Sequence, residues 1–483
     1  MFSWEWESFE SVVASSAVSV DNHGPLKGPV FDFSITRDAK LQLQMVTRAP
    51  ESAQDNGAVH PPATVRINED KVTFASNLGL ELTAEGVQPT NTLIHIEGAA
   101  PGVLEQKIDI HRLKGILYPY DREVKFTIDW LENVDSVFQW PDMIEDKFEG
   151  TTTRTFGRNG SAHLTVDTSD ELTVTGSNSP EGNSWACVRL SVDGTTFFLC
   201  HARAGIVKHI QKPGYIVYVG NPSDEFRDKV RRCLSFSLGL YLVYLGSSWF
   251  CKEWHLIRFE ANSAYSLAGR AMELPPTPPS PLGNRSLWEI DRNLLSRMVN
   301  SLYTKYDELN FGVVSWAYWH AVTATSHIAA VHYGAALESL QRAYSVSHTV
   351  KLSQQNLEEE KWQALHAKLE KCLNEVELTP EMRQIFKNKL QNLNNRSQHS
   401  LAKDLIDSLG LILGPREKTA HDARHESAHG KDDEVDVEWI RDLKIMRIRF
   451  HRILLSITNA SESYYDYFSL HHPVRKVAEP ILE

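Results

Sequence analysis

The sequence predicts an α+β protein of several domains, in which a β-rich N-terminal region of antiparallel sandwich or barrel units precedes an all-α helical bundle. Short runs of alternating or β-branched residues, separated by turn residues, fill most of the first 274 positions. Five prolines then fall within the seven residues Pro275–Pro281. After them, apolar residues recur at spacings of three and four, as on helices. A chain of 483 residues corresponds to about three domains.

The β-rich region divides into two predicted domains, residues 1–140 and 141–274, with the boundary near Trp140-Pro141-Asp142. Turn residues such as Asn159-Gly160 and Asp193-Gly194 separate the runs. Many short strands at this spacing are typical of sandwiches and barrels. The predicted strands are Val30–Ile35, Leu41–Val46, Thr64–Ile67, Thr92–Ile96, Val124–Trp130, His163–Val166, Leu172–Val174, Cys187–Val192 and Thr195–Cys200.

A helix interrupts the β pattern at about residues 223–245. Ser223 suits an N-cap, and Asp224 and Glu225 suit the positive end of the helix dipole. The apolar run from Cys233 to Phe250 contains glycines and serines and falls short of the roughly 20 residues that span a bilayer. The sequence therefore predicts a buried helix and no membrane segment.

Residues 275–285 are predicted to be a proline-rich linker in extended polyproline conformation. Residues 286–475 are predicted to be the all-α domain, and the last dozen residues of the chain a loose tail. Helical periodicity and caps mark seven segments. They begin near Ser286, Val313, Asn356, Thr379, Ser400, Glu417 and Asp436.

Charge and cysteine content exclude several classes of function. A net charge of −12 gives no global basic field, so contact with nucleic acid must rest on a local patch. The five cysteines form no CxxC pair, which favours buried free thiols in a reducing cytoplasm over a cysteine-type zinc site. The acidic, aromatic N-terminus predicts no secretory leader. The absence of a GxxxxGK[ST] loop argues against a nucleoside triphosphatase, and no cofactor is predicted.

The segment from His421 to Gly430, HDARHESAHG, concentrates reactive side chains. RNA can be cut without a metal when its own 2′-hydroxyl acts as nucleophile. This needs an acid or base with a pKa near neutrality, which histidine provides. It also needs a fixed cation beside the phosphate, which arginine provides with its planar set of donors. Arg424 and His429 are the predicted catalytic pair.

The spacing of this pair restricts the geometry of the site. Residues five apart differ by about 140° around a helix, so Arg424 and His429 do not share a face of an unbroken helix. Gly430 marks a predicted helix end, where the last turn can unwind. The pair therefore meets either at a helix end or by combining motifs from two subunits.

Two other interpretations of the motif stay open. The first is a solvent-exposed helix end that favours cations near its C-terminus. The second is a metal site, because His421, His425 and His429 lie four residues apart and share one helix face. The predicted site contains no metal.

The residues Arg424-His425-Glu426-Ser427-Ala428-His429-Gly430 resemble the RxxxxH signature of HEPN ribonucleases, in which a polar residue such as His425 often follows the arginine. The upstream segment from His332 to Leu340 resembles a helix with an ALE-type core that many HEPN domains carry. The layout resembles that of ApeA-like bacterial defence proteins. This resemblance implies a metal-independent endoribonuclease, a homodimer with both motifs in one cleft, and a role in phage defence with tRNA as one candidate substrate.

Further residues are candidates for supporting roles. Glu338 is predicted to orient Arg424 by a charge-assisted bond, or else to be a structural ion-pair partner. Arg441, Lys444 and Arg447 on the last helix are predicted to follow an RNA backbone, although such a run is often a solvated face. Trp316, Tyr318 and Trp319 could stack on bases, but core packing is the expected role of aromatic residues in a long helix.

The sequence thus predicts a cytoplasmic endoribonuclease with RNA as substrate. Its β-rich region is expected to sense a trigger, such as a phage component, or to grip substrate. The alternative is a non-catalytic module that dimerises and binds RNA or protein.

Overall fold

A computed structural model describes residues 5–15, 18–55, 70–76, 79–95, 102–117, 122–134, 161–165, 171–175, 187–202, 210, 212–264, 267, 269–283, 290–346, 355–420 and 437–481. These residues group into two compact units. The first is Met1–Thr277 with Leu282–Asn300, and the second is Pro278–Pro281 with Ser301–Glu483. The predicted order of a β-rich region followed by a helical region is confirmed.

The first unit contains most of the strands. They are β1 Val18–Asn22, β2 Lys27–Gly28, β3 Asp32–Arg37, β4 Leu43–Pro50, β5 Gln54–Asp55, β6 Lys71–Ser76, β7 Glu81–Glu85, β8 Gln88–His95, β9 Val103–Ile110, β10 Arg112–Ile116, β11 Phe126–Leu131, β12 Ser161–Thr165, β13 Glu171–Thr175, β14 Cys187–Val192, β15 Thr195–His201, β16 Gly214–Val219, β17 Tyr244–Phe250 and β18 Leu256–Asn262. Helices α1 (Glu5–Ser15) and α2 (Asp224–Leu238) accompany them.

A ten-stranded antiparallel sheet organises this unit in the order β1-β6-β7-β10-β18-β17-β11-β16-β15-β14. The predicted boundary at residue 140 does not divide it. Strand β11, before the boundary, pairs with β16 and β17, which lie after it. The sequence pattern missed this because alternation defines the faces of a strand but not its neighbours in the sheet.

A second sheet, in the order β3-β4-β9-β8, packs against the first part of the large sheet. Strand β4 alternates buried and more exposed residues along its length, as expected when one face of a sheet covers a core. Buried residues of both sheets form one core, including Leu43, Met45, Leu82 and Phe259. The two-layer antiparallel arrangement agrees with the predicted sandwich.

Helix α2 begins as predicted but ends early. The Ser223 hydroxyl accepts a hydrogen bond from the Phe226 amide at 3.2 Å, which satisfies one free donor of the first turn. The helix ends because Gly239 adopts a left-handed conformation with φ 64°. The apolar residues that follow form strand β17 instead of continuing the predicted helix to residue 245. Among the described helices, none combines the length and apolarity required to cross a membrane.

A buried charge network holds α2 on the sheet. Asp129 of β11 is fully buried and accepts hydrogen bonds from Arg227, Arg231 and the Ser247 hydroxyl. Burial of charge is tolerated only when it is paired and hydrogen-bonded. The network therefore fixes one α2 face over β11 and β17.

The second unit is built from helices. They are α3 Arg292–Thr304 (shared with the first unit), α4 Phe311–Thr323, α5 Ser326–Val346, α6 Glu359–Glu375, α7 Pro380–Gln391, α8 Gln398–Ser408 and α9 Val437–Thr458. Residues 415–420 are also helical. The continuous helix predicted from Val313 is divided between α4 and α5, because the backbone of Ala324 is extended. The Thr325 carbonyl then accepts hydrogen bonds from the amides of Ile328 and Ala329, in the first turn of α5.

Helices α6 and α7 pack against each other but contain no buried residue. Side chains of Leu365, Met382, Ile385 and Phe386 are between 39% and 54% exposed. Isolated helices of this length are marginal in water and gain most of their stability from burying an apolar face. We call this pair the α6–α7 hairpin.

The predicted loose tail is wrong. Strands β19 (Ser463–Tyr465) and β20 (Val474–Lys476) pair with each other. The buried Arg452 of α9 donates hydrogen bonds to the carbonyls of Val477 and Ala478 and forms an ion pair with Glu417. The Ile481 amide donates to the same Glu417 carboxylate at 3.1 Å. Buried hydrogen bonds thus tie down a segment whose sequence has no strong periodicity.

Candidate functional site

The predicted catalytic residues Arg424 and His429, with His425, lie outside the described residues, within 421–436. The structure describes the chain on both sides of them. Residues 415–420, which precede the motif, are helical, and Ala420 is buried. Helix α9 begins at Val437, seven residues after Gly430.

The two flanks are fixed to each other. The Arg416 guanidinium donates to the carboxylate of Glu438 at 2.5 Å and lies 3.0 Å from that of Asp442. The Trp439 indole donates to the carbonyl of Ser326 at 3.3 Å, which joins the first turn of α9 to the first turn of α5. The residues that bracket the motif therefore lie side by side at one end of α9.

Glu338 lies on α5 and is partly buried. It follows Ser326 by twelve residues, which corresponds to about 18 Å along a helix. Because Arg424 is outside the described residues, the predicted contact between Arg424 and Glu338 stays a prediction.

The three basic residues predicted to contact RNA differ in their surroundings. Arg441 and Lys444 are exposed on α9. Arg441 also forms an ion pair with Glu438 at 2.6 Å. Arg447 is partly buried and donates from Nε to the Tyr318 hydroxyl at 3.3 Å. The first two therefore offer charge to solvent, whereas the guanidinium of Arg447 belongs to a contact between helices.

Arg447 is part of a buried relay that the sequence pattern did not reveal. Its acceptor, the Tyr318 hydroxyl, lies 2.8 Å from Nε2 of His451. Because an arginine only donates, the hydroxyl proton of Tyr318 is free to point at Nε2, which then acts as acceptor. Burial, and then the Arg447 charge, lower the pKa of His451 well below 6.5, so the ring is neutral. The four-residue spacing of Arg447 and His451 on one helix was the available signal.

A partly exposed aromatic and imidazole cluster lies on α4 and α5. Trp316 is 52% exposed, and its ring centroid lies 3.9 Å from that of His320 and 6.1 Å from that of His332. Partial burial and the neighbouring His320 lower the pKa of His332. By contrast, Tyr318 and Trp319 are buried, in agreement with their expected core role. Trp316 is thus the one of these three aromatic residues that could stack on a base.

Comparison of the chain with protein-family models, with curated proteins and with solved structures gives no match.

Proposed function

We propose that this protein is a metal-independent endoribonuclease whose active site contains Arg424 and His429. The observation that carries the proposal is the motif itself, an arginine, four residues and His-Gly, in a unit of packed helices. His429 would exchange a proton with the 2′-hydroxyl and the leaving 5′-oxygen. Arg424 would hold the scissile phosphate as negative charge develops. The products would be a 2′,3′-cyclic phosphate and a 5′-hydroxyl.

The anchored flanks support a site at this position. A catalytic group must be held close to its productive geometry, and supporting ion pairs and hydrogen bonds provide that restraint. The contacts of Arg416 with Glu438 and of Trp439 with Ser326 restrain both ends of the motif segment. The exposed cations Arg441 and Lys444, and the exposed Trp316, are suited to contact an RNA backbone and a base.

The α6–α7 hairpin supports a second part of the proposal, that the enzyme is a homodimer. Its apolar side chains would be covered by the same hairpin of another copy. Helix α6 carries four acidic and three basic side chains, whereas α7 carries one acidic and three basic. In a two-fold arrangement, α6 of one copy can face α7 of the other with opposite net charge. A dimer would also supply two motifs, as the spacing of Arg424 and His429 requires if they do not meet within one chain.

The biological setting belongs to the same proposal. A role in phage defence, with tRNA as a candidate substrate and the β-rich unit as sensor of the trigger, follows from the resemblance to ApeA-like proteins. The alternative is a non-catalytic module that dimerises and binds RNA or protein. The network of Arg447, Tyr318 and His451 fits either function, since it stabilises the helices whatever they bind.

An RNA cleavage assay in EDTA tests the proposal. Replacing His429 with alanine should lower the rate by about 10²–10⁴, and Arg424→Ala by about 10²–10³, because each removes one stabilising group of the transition state. Ser427→Ala, inside the motif and with no acid–base or phosphate-holding role in the proposal, is the matched control and should cleave at the wild-type rate. Undiminished cleavage by both variants would exclude this site. Loss of all activity in EDTA would instead favour the metal site at His421, His425 and His429.

A further inference from the structure

Three side chains with metal-binding chemistry converge in the turn between β17 and β18. Cys251, Glu253 and His255 each present one ligand atom, and these atoms lie within 4.8 Å of one another. Cys251 is buried, whereas Glu253 and His255 are exposed. The sequence pattern gave no sign of this cluster, because the CxExH spacing is not that of a zinc finger.

The turn that carries these residues is held in a fixed conformation. The Cys251 amide donates to the His255 carbonyl, and the Trp254 amide donates to the Cys251 carbonyl, both at 3.1 Å. Trp254 adopts a left-handed conformation with φ 61°, and its ring stacks on Phe126 at 4.2 Å with an interplanar angle of 2°. The backbone is therefore set before any ligand arrives, which lowers the entropic cost of binding.

The geometry fits a transition-metal ion of the zinc type. Zinc bond lengths of about 2.0–2.3 Å imply ligand separations of roughly 3.3–3.8 Å in a tetrahedron. Side-chain movements of about 1 Å would close the present separations to that range. A thiolate among the donors disfavours Mg²⁺ and Ca²⁺, which prefer oxygen ligands. We propose that Cys251, Glu253 and His255 bind Zn²⁺, with the fourth position open to water.

Cys251 and Glu253 are hydrogen-bonded to each other without a metal, so metal binding must displace the thiol proton that they share. The Cys251 thiol donates this hydrogen bond to the Glu253 carboxylate. On binding, the thiol proton leaves to solvent and the thiolate and carboxylate both face the ion. Their two negative charges would match the charge of Zn²⁺.

Arg122 opposes metal binding. Its Nη1 lies 2.9 Å from Nδ1 of His255. Since an arginine only donates, the nitrogen lone pair at Nδ1 is occupied, and the guanidinium adds positive charge beside the ion. Arg122 must move away for the imidazole to bind the metal in its best orientation. Removing Arg122 should therefore strengthen binding.

Zinc titration of the untagged full chain, in competition with a chromophoric chelator, tests the proposal. His255→Gln and Glu253→Gln are exposed substitutions and should each weaken the site at least about tenfold. Arg122→Ala should tighten it, and Lys252→Gln, exposed in the same turn, is the matched control. Co²⁺ should give a thiolate charge-transfer band that is lost in Cys251→Ser.

Two results of these titrations would contradict zinc binding at this turn. Zinc affinity that is the same in wild type, His255→Gln and Glu253→Gln would overturn the proposal, as would a Co²⁺ spectrum without a thiolate band. These readouts measure metal binding alone, so they do not depend on whether the protein cleaves RNA.

Discussion

The β-rich unit and the helical unit both bury charged side chains, but they use them to hold different kinds of structure. In the β-rich unit, Asp129 forms ion pairs with two arginines of α2 and fixes a helix on a sheet. In the helical unit, Glu417 pairs with Arg452 and secures the C-terminal segment through backbone groups. Paired charge thus holds a helix on a sheet in one unit and a C-terminal segment on a helix in the other.

Each unit also buries a titratable side chain whose pKa is shifted by burial, and the two side chains differ in their chemistry. Glu132 is buried, and its Oε2 has no hydrogen-bond partner, so burial raises its pKa to about 7 although Lys212 opposes the shift. His451 is buried as a neutral base. One unit therefore favours a proton on its buried group and the other disfavours it, and the pH dependence of the two units should differ in sign.

The largest expected effect comes from breaking the Asp129 network. Asp129→Asn leaves two buried guanidinium groups without their shared carboxylate, and should lower the free energy of unfolding of the β-rich unit by about 3–5 kcal/mol. Chemical denaturation of the full chain measures it. Asp228→Asn, on the exposed side of α2, should cost less than about 1 kcal/mol. Equal costs for the two substitutions would mean that burial does not set the strength of this network.

Glu132→Gln should stabilise the β-rich unit at alkaline pH. Since the folded pKa is raised from 4.5 to about 7, the carboxyl contributes stability that is complete below pH 4.5 and is lost as the pH rises through 7. The substitution removes that loss and should add about 3 kcal/mol at pH 8, with little gain at pH 4.5. Thermal unfolding across this range measures the difference. A gain that is independent of pH would contradict the assigned cause.

His451 should make the free energy of unfolding of the helical unit change with pH in the opposite direction. Its folded pKa is depressed below 6.5, so the unfolded chain takes up the proton first, and stability is lost as the pH falls below 6.5. The slope can reach about 1.4 kcal/mol per pH unit. His451→Gln keeps a hydrogen-bonding group near Tyr318 and should flatten the dependence between pH 6.5 and 5.5. An unchanged slope in this variant would assign it to other groups.

A substitution on the exposed face of the α6–α7 hairpin should change the free energy of unfolding least and the association of two chains most. Ile385→Glu replaces an exposed side chain and should change the free energy of unfolding of the isolated chain by less than about 0.5 kcal/mol. It should convert the proposed dimer to a monomer in analytical ultracentrifugation. Gln384→Glu, the polar neighbour on α7, introduces the same charge and is the control. A wild-type monomer at micromolar concentration would contradict the proposed interface.

The sequence was sufficient for features that depend on local chemistry. The helix N-caps at Ser223 and Thr379 lie where predicted. Each cap depends only on a hydrogen bond between its side-chain hydroxyl and the backbone amide three residues later. The helix end at Leu238 was missed, since Gly239 can continue or stop a helix and only its left-handed conformation decides. The single large sheet was missed because strand order depends on contacts between distant residues.

The candidate sites show the same limit of sequence analysis, which detects local chemistry but not contacts between distant residues. Arg424 and His429 stay a prediction, which the sequence permits because their chemistry is compressed into six residues. The buried network of Arg447, Tyr318 and His451 joins residues more than 120 apart in the chain, so the spacing of Arg447 and His451 gives only a local hint and does not identify Tyr318 as their partner. The turn at Cys251, Glu253 and His255 is local, but its ligand atoms converge only because the backbone folds back at Trp254.

The chemistry of the RNA ends tests the central proposal most directly. After incubation of RNA with the protein in EDTA, we expect 3′ fragments that begin with a 5′-hydroxyl and 5′ fragments that end in a 2′,3′-cyclic phosphate. Both should be absent with Arg424→Ala and with His429→Ala. Ends bearing a 3′-hydroxyl and a 5′-phosphate, or cyclic ends formed at wild-type yield by both variants, would contradict it.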